Sequence, residues 1–263
     1  MKIGLLGPAG TFTETALNKY NKIAKKVFLK SHFDVFDAVN NGLVDNGIIA
    51  IENQINGFVL ANIDLFLNTN MNIIQEIIIP IHHCLAIPIG CKKIKNIISH
   101  PQALAQCQDY IIKKYPGARK IPSESTARGM EETKIISNSA GIGPTLAAEM
   151  NDLNIIDKNI EDYKKNETRF FIITKKKTIN NKGKKTSIVF ICKHEPGSLY
   201  NSLKVFAKNK VNLLNIFSRP IKNKSWEYSF YIELEGNVNG KKIIESIKKL
   251  KDQSLKVNIL GSY

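Results

Sequence analysis

The stretch "KKNETRFFIITKK", residues 164–176, contains a short apolar run that decides how the first part of the chain is organised. Residues 170–173 are all apolar, which is typical of a buried strand. Thr168 and Arg169 stand directly before them. Side chains alternate between the two faces of a regular strand, so these two groups can reach one ligand only if the strand begins after them. The polar residues before Thr168 are consistent with a turn at that point.

Arginine is scarce in this chain. Four of the 38 basic residues are arginines, and the other 34 are lysines. A guanidinium is planar and binds a carboxylate through two parallel hydrogen bonds, which an ammonium group does not do. We therefore expect arginine where a bidentate donor is needed. Three of the four lie in the distinctive strings "STARGM", "TRFF" and "FSRP".

The net charge of +15 raises the question of a nucleic-acid partner. The lysines are spread along the whole chain, and the sequence contains no aromatic and basic RNA-binding motif. These features favour a solvated lysine surface over a nucleic-acid site, although the field of such a surface attracts anionic small molecules. The hydrophobic fraction of 43% is sufficient for a packed core.

The sequence shows neither a membrane segment nor a secretory signal. No apolar run reaches about 18 residues, the length that indicates a membrane span. The N-terminal "MKIGLLGPAGTF" lacks the longer apolar stretch and the cleavage site of a signal peptide, and it is typical of a strand that ends in a glycine turn. We therefore expect the protein in the cytoplasm or in an organelle matrix.

The cysteines and the paired histidines are predicted to be structural. No C-x-x-C pair or Cys/His cluster has the spacing of a metal site, so we expect reduced cysteines in the core. His82 and His83 would point to opposite faces of a strand and could not easily share a metal ion. The cysteines are Cys84, Cys91, Cys107 and Cys192.

A polar, lysine-rich segment at residues 174–187 predicts a linker or an exposed turn. The pattern after it has the order βαββαβ, which is the ferredoxin-like arrangement. We expect one domain over residues 1–176 and a second over residues 186–263. In the strand "WEYSFYIELEG" of the second domain, side chains alternate between two faces. One face carries Trp226, Tyr228, Phe230 and Ile232, and the other carries Glu227, Ser229, Tyr231 and Glu233.

The N-terminal part alternates short strands with helices, the pattern of an α/β fold. Two helices are predicted to start with a capping box, Thr11-x-x-Glu14 and Ser99-x-x-Gln102, in which each side chain satisfies a backbone N–H. A helix N-terminus that follows a strand can also hold an anion, so a capping role and an anion-binding role are both open. Gln106 lies seven residues after Ser99, on the same helix face.

The segment "AIENQINGFV" likewise ends a predicted strand with polar groups. Glu52 and Asn53 follow the apolar residues, and Gly57 follows at a turn. Either these residues form an ordinary turn, or the carboxylate and the amide contact a ligand, because α/β proteins bind ligands at the carboxyl ends of their strands.

In series, these strings resemble those of prephenate dehydratase, the enzyme of phenylalanine synthesis, followed by a regulatory ACT domain. The resemblance covers nearly the whole chain in the expected order. No single string is decisive, but six or seven in series are highly specific. The matching strings are "GPAGTFTETA", "IENQINGFV", "SHPQALAQC", "STARGM", "NETRFFII", "PGSLY" and "FSRP".

The resemblance implies a catalytic domain of two α/β lobes around a cleft, similar to the periplasmic-binding-protein fold, with residues 169–173 returning to the first lobe. It implies loss of water and carbon dioxide from prephenate, without a metal ion or an organic cofactor. Such an enzyme must hold a dianion, protonate the departing hydroxyl and remove water from the leaving carboxylate. Positioned proton donation contributes roughly 10²–10⁴ in rate, and preorganised donors can contribute more.

The positions that match the family's motifs imply the site residues. Thr168 matches the catalytic threonine and would orient the leaving hydroxyl, whereas Glu52 is a candidate acid if burial keeps it protonated. Either of the two could supply the proton. Arg169 would bind a side-chain carboxylate of the substrate, and Phe170 either lies against the ring or belongs to the core. Further cleft positions are Asn53, Ser99 and Gln106.

In ACT domains of the family, phenylalanine binds where a strand-to-helix turn meets a partner subunit. The resemblance therefore implies phenylalanine as effector and a homodimer or homotetramer. Two departures leave the effector's identity open, because Phe217 stands where glutamate is usual and Ser198 where alanine is common. The effector residues that the resemblance implies are Gly197, Ser198, Leu199, Tyr200, Ser218 and Arg219.

Two other functions fit parts of the sequence. A two-lobed protein with an amino-acid-sensing domain could be a binding module without catalysis, but Thr168 and Glu52 are both present. An enzyme of this kind could also act on arogenate and yield phenylalanine directly. An ultraviolet assay with prephenate and arogenate in parallel separates these functions.

Overall fold

The structure is a computed structural model that describes residues 1–177, 180–221 and 227–263. Its strands and helices form three groups along the chain. The first group is β1 (Lys2–Leu6), α1 (Phe12–Tyr20), β2 (Lys25–Leu29), α2 (His32–Asn40), β3 (Asn46–Asn53), β4 (Gly57–Phe58), α3 (Leu60–Asn68) and β5 (Asn72–Pro80). The second is β6 (Cys84–Ile87), β7 (Asn96–Ser99), α4 (Pro101–Gln106), α5 (Gln108–Lys114), β8 (Arg119–Pro122), α6 (Thr126–Glu132), β9 (Ser139–Gly143), α7 (Thr145–Met150) and β10 (Asn154–Lys158). The third follows β11 (Glu167–Thr174) and is β12 (Lys185–Cys192), α8 (Ser198–Lys208), β13 (Leu213–Pro220), β14 (Tyr228–Glu235), α9 (Lys241–Gln253) and β15 (Ser254–Ser262).

The first lobe is a mixed sheet in which β11 is an inner strand. The strand order is β2-β1-β3-β11-β5, and the short β4 pairs with β3. β1 is parallel to β2 and β3, whereas β11 is antiparallel to both β3 and β5. Residues 170–173 are at most 1% exposed, as expected for a strand that is covered on both faces. Since β11 follows the second lobe in sequence, the prediction that residues 169–173 return to the first lobe is confirmed.

The second lobe is a separate five-stranded sheet in the order β10-β6-β9-β7-β8. β7 is parallel to β8 and β9, and β6 is antiparallel to β9 and β10. The chain enters this lobe between β5 and β6 and leaves it between β10 and β11. Two connections therefore join the lobes, and a cleft lies between their sheets.

The C-terminal domain is an antiparallel sheet in the order β13-β14-β12-β15. The helices α8 and α9 cover one face, where Phe206 and Leu250 pack into the core. The predicted βαββαβ ferredoxin-like arrangement is confirmed. Phe230 and Ile232 share the helix-covered face, as the alternation predicts. Trp226, predicted for the same face, lies outside the described residues.

The other face of this C-terminal sheet packs against the first lobe. Val189, Tyr231 and Tyr263 belong to one hydrophobic cluster with Ile73 and Phe171 of the first lobe. The rings of Tyr263 and Phe171 are 4.9 Å apart between centroids. The face of β14 that the sequence marks as more polar is therefore a buried interface between the C-terminal domain and the first lobe.

The first predicted capping box forms only in part. Thr11 caps α1, with its hydroxyl accepting from the backbone N–H of Glu14 at 3.3 Å. The Glu14 carboxylate, however, accepts from the backbone N–H of Gly10 at 2.6 Å and pairs with Lys26 at 2.7 Å. The carboxylate therefore holds the glycine turn before the helix, one residue earlier than predicted.

Two further predictions concern the membrane and the cysteines. Within the described ranges, no helix is both long and apolar enough to cross a lipid bilayer. Cys84 and Cys107 are buried, as predicted, whereas Cys91 and Cys192 are partly exposed free thiols. Burial raises the pKa of the Cys84 thiol to about 11, so this thiol stays protonated and inert at neutral pH.

Candidate active site

A cavity of about 380 Å³ opens between the two lobes. The first lobe contributes residues of β3, β4 and β11, and the second contributes residues before β6 and in α4. Residues that are far apart in sequence therefore meet in one cleft. The predicted site residues that line it are Glu52, Asn53, Gln106, Thr168 and Phe170.

Thr168 is held in the cleft by its pairing partner on β3. The two antiparallel strands place Thr168 directly opposite Asn53. Asn53 Nδ2 donates to Thr168 Oγ1 at 2.9 Å and to Asn166 Oδ1 at 2.8 Å. Since Thr168 Oγ1 accepts this hydrogen bond, the hydroxyl proton of Thr168 remains to be donated to a different acceptor. A ligand bound in the cavity would provide that acceptor.

Arg169 lies on the other face of the strand, away from Thr168. The expected turn before Thr168 is wrong, because β11 already begins one residue earlier. The Arg169 side chain is 14% exposed and pairs with Glu52 at 2.9 Å, Glu76 at 2.8 Å and Glu233 at 2.5 Å. Its bidentate partner is the protein's own Glu233. The structure thus shows Arg169 bound to carboxylates of the protein and not lining the cavity, and its binding of a substrate carboxylate stays a prediction.

Glu52 stands opposite Arg169 in the strand register and also borders the cavity. Its side chain is 27% exposed. Burial raises the pKa of the Glu52 carboxyl, the positive charge of Arg169 opposes this rise, and the nearby Glu233 carboxylate adds to it. A carboxyl with a raised pKa remains protonated to higher pH, which suits a proton donor.

Ser99 is fully buried, and the capping box predicted for it is wrong. The cap of α4 is His100, whose side chain accepts from the backbone N–H of Gln102. The Ser99 hydroxyl donates to the backbone oxygen of Ile142 at 2.5 Å. This bond joins β7 to β9 inside the second lobe and gives Ser99 a structural role, while its contact with the substrate stays a prediction.

Gln106 borders the cavity, and its Oε1 lies 3.1 Å from Nε2 of His83. His83 is 2% exposed, and burial lowers its pKa below the ordinary value, so the imidazole is neutral at neutral pH. A neutral imidazole with its proton on Nε2 donates to the Gln106 oxygen. The buried amide nitrogen of Gln106 has no hydrogen-bond partner in the described part of the chain, so it remains available as a donor.

The sequence reasoning missed His83 as a cleft residue. The histidine pair does alternate, since His82 is 46% exposed at its side chain and contacts Glu161 at 2.9 Å, whereas His83 turns inward. Alternation alone could not show that the inward side faces a cleft. Thr126 also lines the cavity, and it lies in the string "STARGM" that supported the resemblance. Further lining residues that the sequence analysis did not assign include Phe12, Thr13 and His100.

A second cavity, of about 370 Å³, lies at the start of α8 in the C-terminal domain. Gly197 precedes the helix with a φ of 81°, a left-handed conformation that favours glycine. Ser198 and Leu199 line this cavity, and the next residue, Tyr200, is 64% exposed. The turn predicted for effector binding therefore borders an open cavity.

The two remaining predicted effector residues lie on β13 and face different ways. Ser218 pairs with Phe230, which lines the second cavity. Arg219 faces the first lobe instead, where its Nε lies 2.5 Å from Asp64 Oδ1 and its Nη2 lies 2.6 Å from Oδ2. Phe217, at the position where the resemblance leads us to expect a glutamate, packs at 4.3 Å between ring centroids against Phe58 of the first lobe. Within one chain, Arg219 is therefore an interdomain contact.

The fold and the cleft define a class of protein: a two-lobed α/β catalytic unit with a ferredoxin-like domain docked on its first lobe. Its cleft combines a positioned hydroxyl, a carboxyl of raised pKa and an amide donor. A model of the prephenate dehydratase family matches residues 3–178, about two thirds of the chain. The chain belongs to the prephenate dehydratase family.

Comparison with individual proteins agrees with this membership. Prephenate dehydratase of Methanocaldococcus jannaschii is 42% identical over 270 residues, which cover 97% of this chain and 95% of that protein. The crystal structure of prephenate dehydratase from Arthrobacter aurescens in complex with L-Phe matches with a TM-score of 0.92 at 29% identity, over 100% of this chain and 89% of that one. GqqA, described as a quorum quenching acylase, also gives a TM-score of 0.92, at 25% identity over 100% of this chain and 97% of its own. Since the same fold accompanies a different described activity there, the reaction has to be argued from the cleft.

Proposed function

We propose that this chain converts prephenate into phenylpyruvate, with release of carbon dioxide and water. The observation that carries the proposal is the hydrogen-bonded pair of Thr168 and Asn53 in the interlobe cavity, with the Glu52 carboxyl at the same cavity. The family match over residues 3–178 supports the same reaction.

The reaction makes few chemical demands on the protein. The bond between the ring and the leaving carboxylate breaks, its electron pair moves into the ring, and the hydroxyl across the ring departs with one added proton as water. The ring becomes aromatic, which provides the driving force. The cleft therefore has to supply one proton and hold the remaining carboxylate, and this chemistry needs neither a metal ion nor an organic cofactor.

We assign to Thr168 the hydrogen bond that orients the leaving hydroxyl of the substrate, and to Glu52 the donation of the proton. Asn53 occupies an acceptor site of Thr168 Oγ1 at 2.9 Å, which leaves the Thr168 proton to hydrogen-bond the substrate hydroxyl. A threonine hydroxyl is too weak an acid to release that proton. The carboxyl of Glu52 is the better acid, and burial raises its pKa toward the range in which general acids operate.

The rest of the cleft suits a ring that carries a carboxylate. The amide nitrogen of Gln106 is a donor for an anionic oxygen, because His83 holds the amide oxygen. Phe170 is 1% exposed in the core of the first lobe and still borders the cavity, so its ring forms an apolar wall there. The net charge of +15 favours approach of a dianion.

An ultraviolet assay of the purified full chain with prephenate and with arogenate in parallel tests the proposed reaction. We expect the absorbance of phenylpyruvate to appear from prephenate at the higher kcat/KM. Faster formation of phenylalanine from arogenate would move the substrate assignment to arogenate. Binding of both compounds without product formation would contradict catalysis and favour a binding module.

We further propose that residues 186–263 form an ACT domain that binds phenylalanine at the turn before α8, and that residues 1–176 form the catalytic domain. The ferredoxin-like strand order and the cavity beside Ser198 support this, as does the L-Phe complex of the Arthrobacter aurescens relative. A cytoplasmic homodimer or homotetramer completes the proposal, because effector sites of this family lie between subunits. Calorimetric titration with L-phenylalanine should show saturable heat and inhibition, and an absence of both would contradict feedback control.

A further inference from the structure

Five charged residues form one cluster between the first lobe and the C-terminal domain. We call it the interdomain ion cluster. Arg169 is at its centre and contacts three carboxylates, while Lys185 contacts the Glu76 carboxylate at 2.8 and 2.9 Å. The cluster thus has three acidic and two basic members. Its members are Glu52, Glu76 and Arg169 of the first lobe and Lys185 and Glu233 of the C-terminal domain.

The guanidinium of Arg169 is divided unequally among these carboxylates. Glu233 takes Nη2 at 2.5 Å and Nη1 at 3.2 Å, so it binds both terminal nitrogens. Glu52 shares Nη1 at 2.9 Å, and Glu76 lies 2.8 Å from Nε. The rings of Phe58 and Phe171, at 5.8 and 5.5 Å from the guanidinium carbon, restrict its movement. Glu52, at the cleft, therefore has one hydrogen bond to Arg169, whereas Glu233 of the C-terminal domain has two.

Glu233 is anchored within its own domain independently of Arg169. The hydroxyls of Tyr231 and Tyr263 donate to Glu233 Oε1 at 3.0 Å each, and Asn215 Nδ2 donates to Oε2. The residue is fully buried. Since these donors fix the carboxylate, the position of the C-terminal domain determines where Glu233 can place the Arg169 guanidinium.

We propose that Glu233 is a positioning residue for the active site. By binding both terminal nitrogens of Arg169, its carboxylate holds the guanidinium in place and offsets part of the positive charge that acts on the Glu52 carboxyl. This inference rests on the proposed function, because it affects turnover only if Glu52 donates the proton. The proposed connection between the C-terminal domain and the cleft runs from the Glu233 carboxylate through the Arg169 guanidinium to the Glu52 carboxyl. Thr168 is the neighbour of Arg169 in β11.

The charges around Glu52 determine the direction of the effect. Burial raises the pKa of Glu52, Arg169 and Lys185 oppose the rise, and Glu233 adds to it. Other ionisable groups that face the cluster are Glu76 from β5, Tyr231 from β14 and Tyr263 after β15. On the cleft side, His83 and His100 border the same cavity as Glu52. Removal of the Glu233 charge should therefore lower the pKa of Glu52, and removal of the Lys185 charge should raise it.

The test is the pH profile of kcat for prephenate in the full chain. The protonated form of Glu52 is the active one, so activity is present at low pH and is lost as pH rises through the pKa of Glu52. We call this loss of activity on the alkaline side the alkaline limb of the profile. In Glu233→Gln we expect the limb to move to lower pH, on the order of one unit. In Lys185→Gln, a partly exposed position, we expect it to move to higher pH. Glu235→Gln is the matched control, since Glu235 is exposed two residues further along β14.

The outcomes separate this inference from the proposed function. If Glu52→Gln retains wild-type turnover and the same limb, the proposed role of Glu52 fails. If Glu52→Gln abolishes turnover but neither Glu233→Gln nor Lys185→Gln moves the limb, the role of Glu233 is refuted. A change in Tm or KM with an unmoved limb marks a purely structural role and also refutes it. Should Glu233→Gln fail to fold, the Lys185→Gln profile alone decides.

Discussion

At the scale of the residue, the orientation of Asn53 determines the orientation of the Thr168 hydroxyl. Asn53 Oδ1 accepts from the backbone N–H groups of Ile55 and Asn56 at 3.2 and 3.1 Å, so this atom must be the amide oxygen. The amide nitrogen is then directed at Asn166 and Thr168. A turn in the backbone thus fixes an amide, and the amide fixes which way the Thr168 hydroxyl donates.

The first prediction concerns Thr168 itself. Thr168→Ala should lower kcat by about 10²–10⁴-fold, because the leaving hydroxyl loses its positioned hydrogen bond. Thr168→Ser keeps the hydroxyl and should retain most of the rate. Thr174→Ala, at the other end of β11, is the control and should leave kcat unchanged. Turnover with prephenate and thermal unfolding by circular dichroism are the measurements, and wild-type turnover in folded Thr168→Ala would refute the assignment.

At the scale of the element, β11 shows what the sequence could and could not predict. Residues 170–173 predict the strand because four apolar residues need burial on both faces. Its start could not be predicted, because Thr168 and Arg169 join the strand by pairing with Ile79 and Ile78 of β5. That pairing sends the two polar side chains to opposite faces. Thr168 reaches the cleft as predicted, and Arg169 reaches the C-terminal domain.

The same limit applies to the second lobe. The family resemblance predicts Gln106 as a cleft residue, and the structure puts it at the cavity. Ser99 was paired with Gln102 from sequence spacing alone, but the acceptor of its hydroxyl is the oxygen of Ile142 on β9, 43 residues away. Local capping rules do not include a tertiary acceptor of this kind, and for this reason they failed here.

The second prediction separates the structural role of Ser99 from a role in substrate binding. Ser99→Ala should lower the free energy of unfolding by about 1–3 kcal/mol, since a buried hydrogen bond between β7 and β9 is lost. Its KM for prephenate should stay close to that of the wild type. Gln106→Ala is the contrasting variant, with a raised KM and little change in stability. Denaturant unfolding and steady-state kinetics give both quantities, and a raised KM with unchanged stability in Ser99→Ala would restore the substrate role.

At the scale of the whole molecule, the two domains share a hydrophobic core and the interdomain ion cluster. The βαββαβ order of the C-terminal domain was readable from alternation and helix spacing. The docking of this domain on the first lobe could not be predicted, because nothing in the local sequence around Tyr231 and Glu233 indicates that their face of β14 is covered by another domain. The contacts of Glu233 with Arg169 and of Phe217 with Phe58 make this docking specific. The proposed positioning role of Glu233 depends on this docking.

The third prediction concerns acid stability. The hydrogen bonds and the charge of Arg169 hold the pKa of Glu233 below its ordinary value, despite its burial. The unfolded chain then binds more protons, so this stabilisation is present above about pH 4.3 and is lost as pH falls through the folded pKa. The raised pKa of Glu52 acts in the opposite sense and offsets part of the loss.

We accordingly expect the Tm of the wild type to fall between about pH 5 and pH 3. Glu233→Gln should start from a lower Tm at neutral pH and show a shallower fall, whereas Glu235→Gln should follow the wild type. Differential scanning calorimetry over this pH range provides the measurement. A wild-type Tm that stays constant or rises on acidification would show that Glu233 is not a stabilising carboxylate.

The most direct measurement is a crystal structure of Thr168→Ala soaked with prephenate, since this variant should bind the substrate and turn it over slowly. We predict that the ring lies in the interlobe cavity against Phe170, with the hydroxyl-bearing carbon facing position 168 and a carboxylate near the Gln106 amide. Prephenate bound at the turn before α8, or in the interlobe cavity with its hydroxyl turned away from position 168, would contradict the proposed active site.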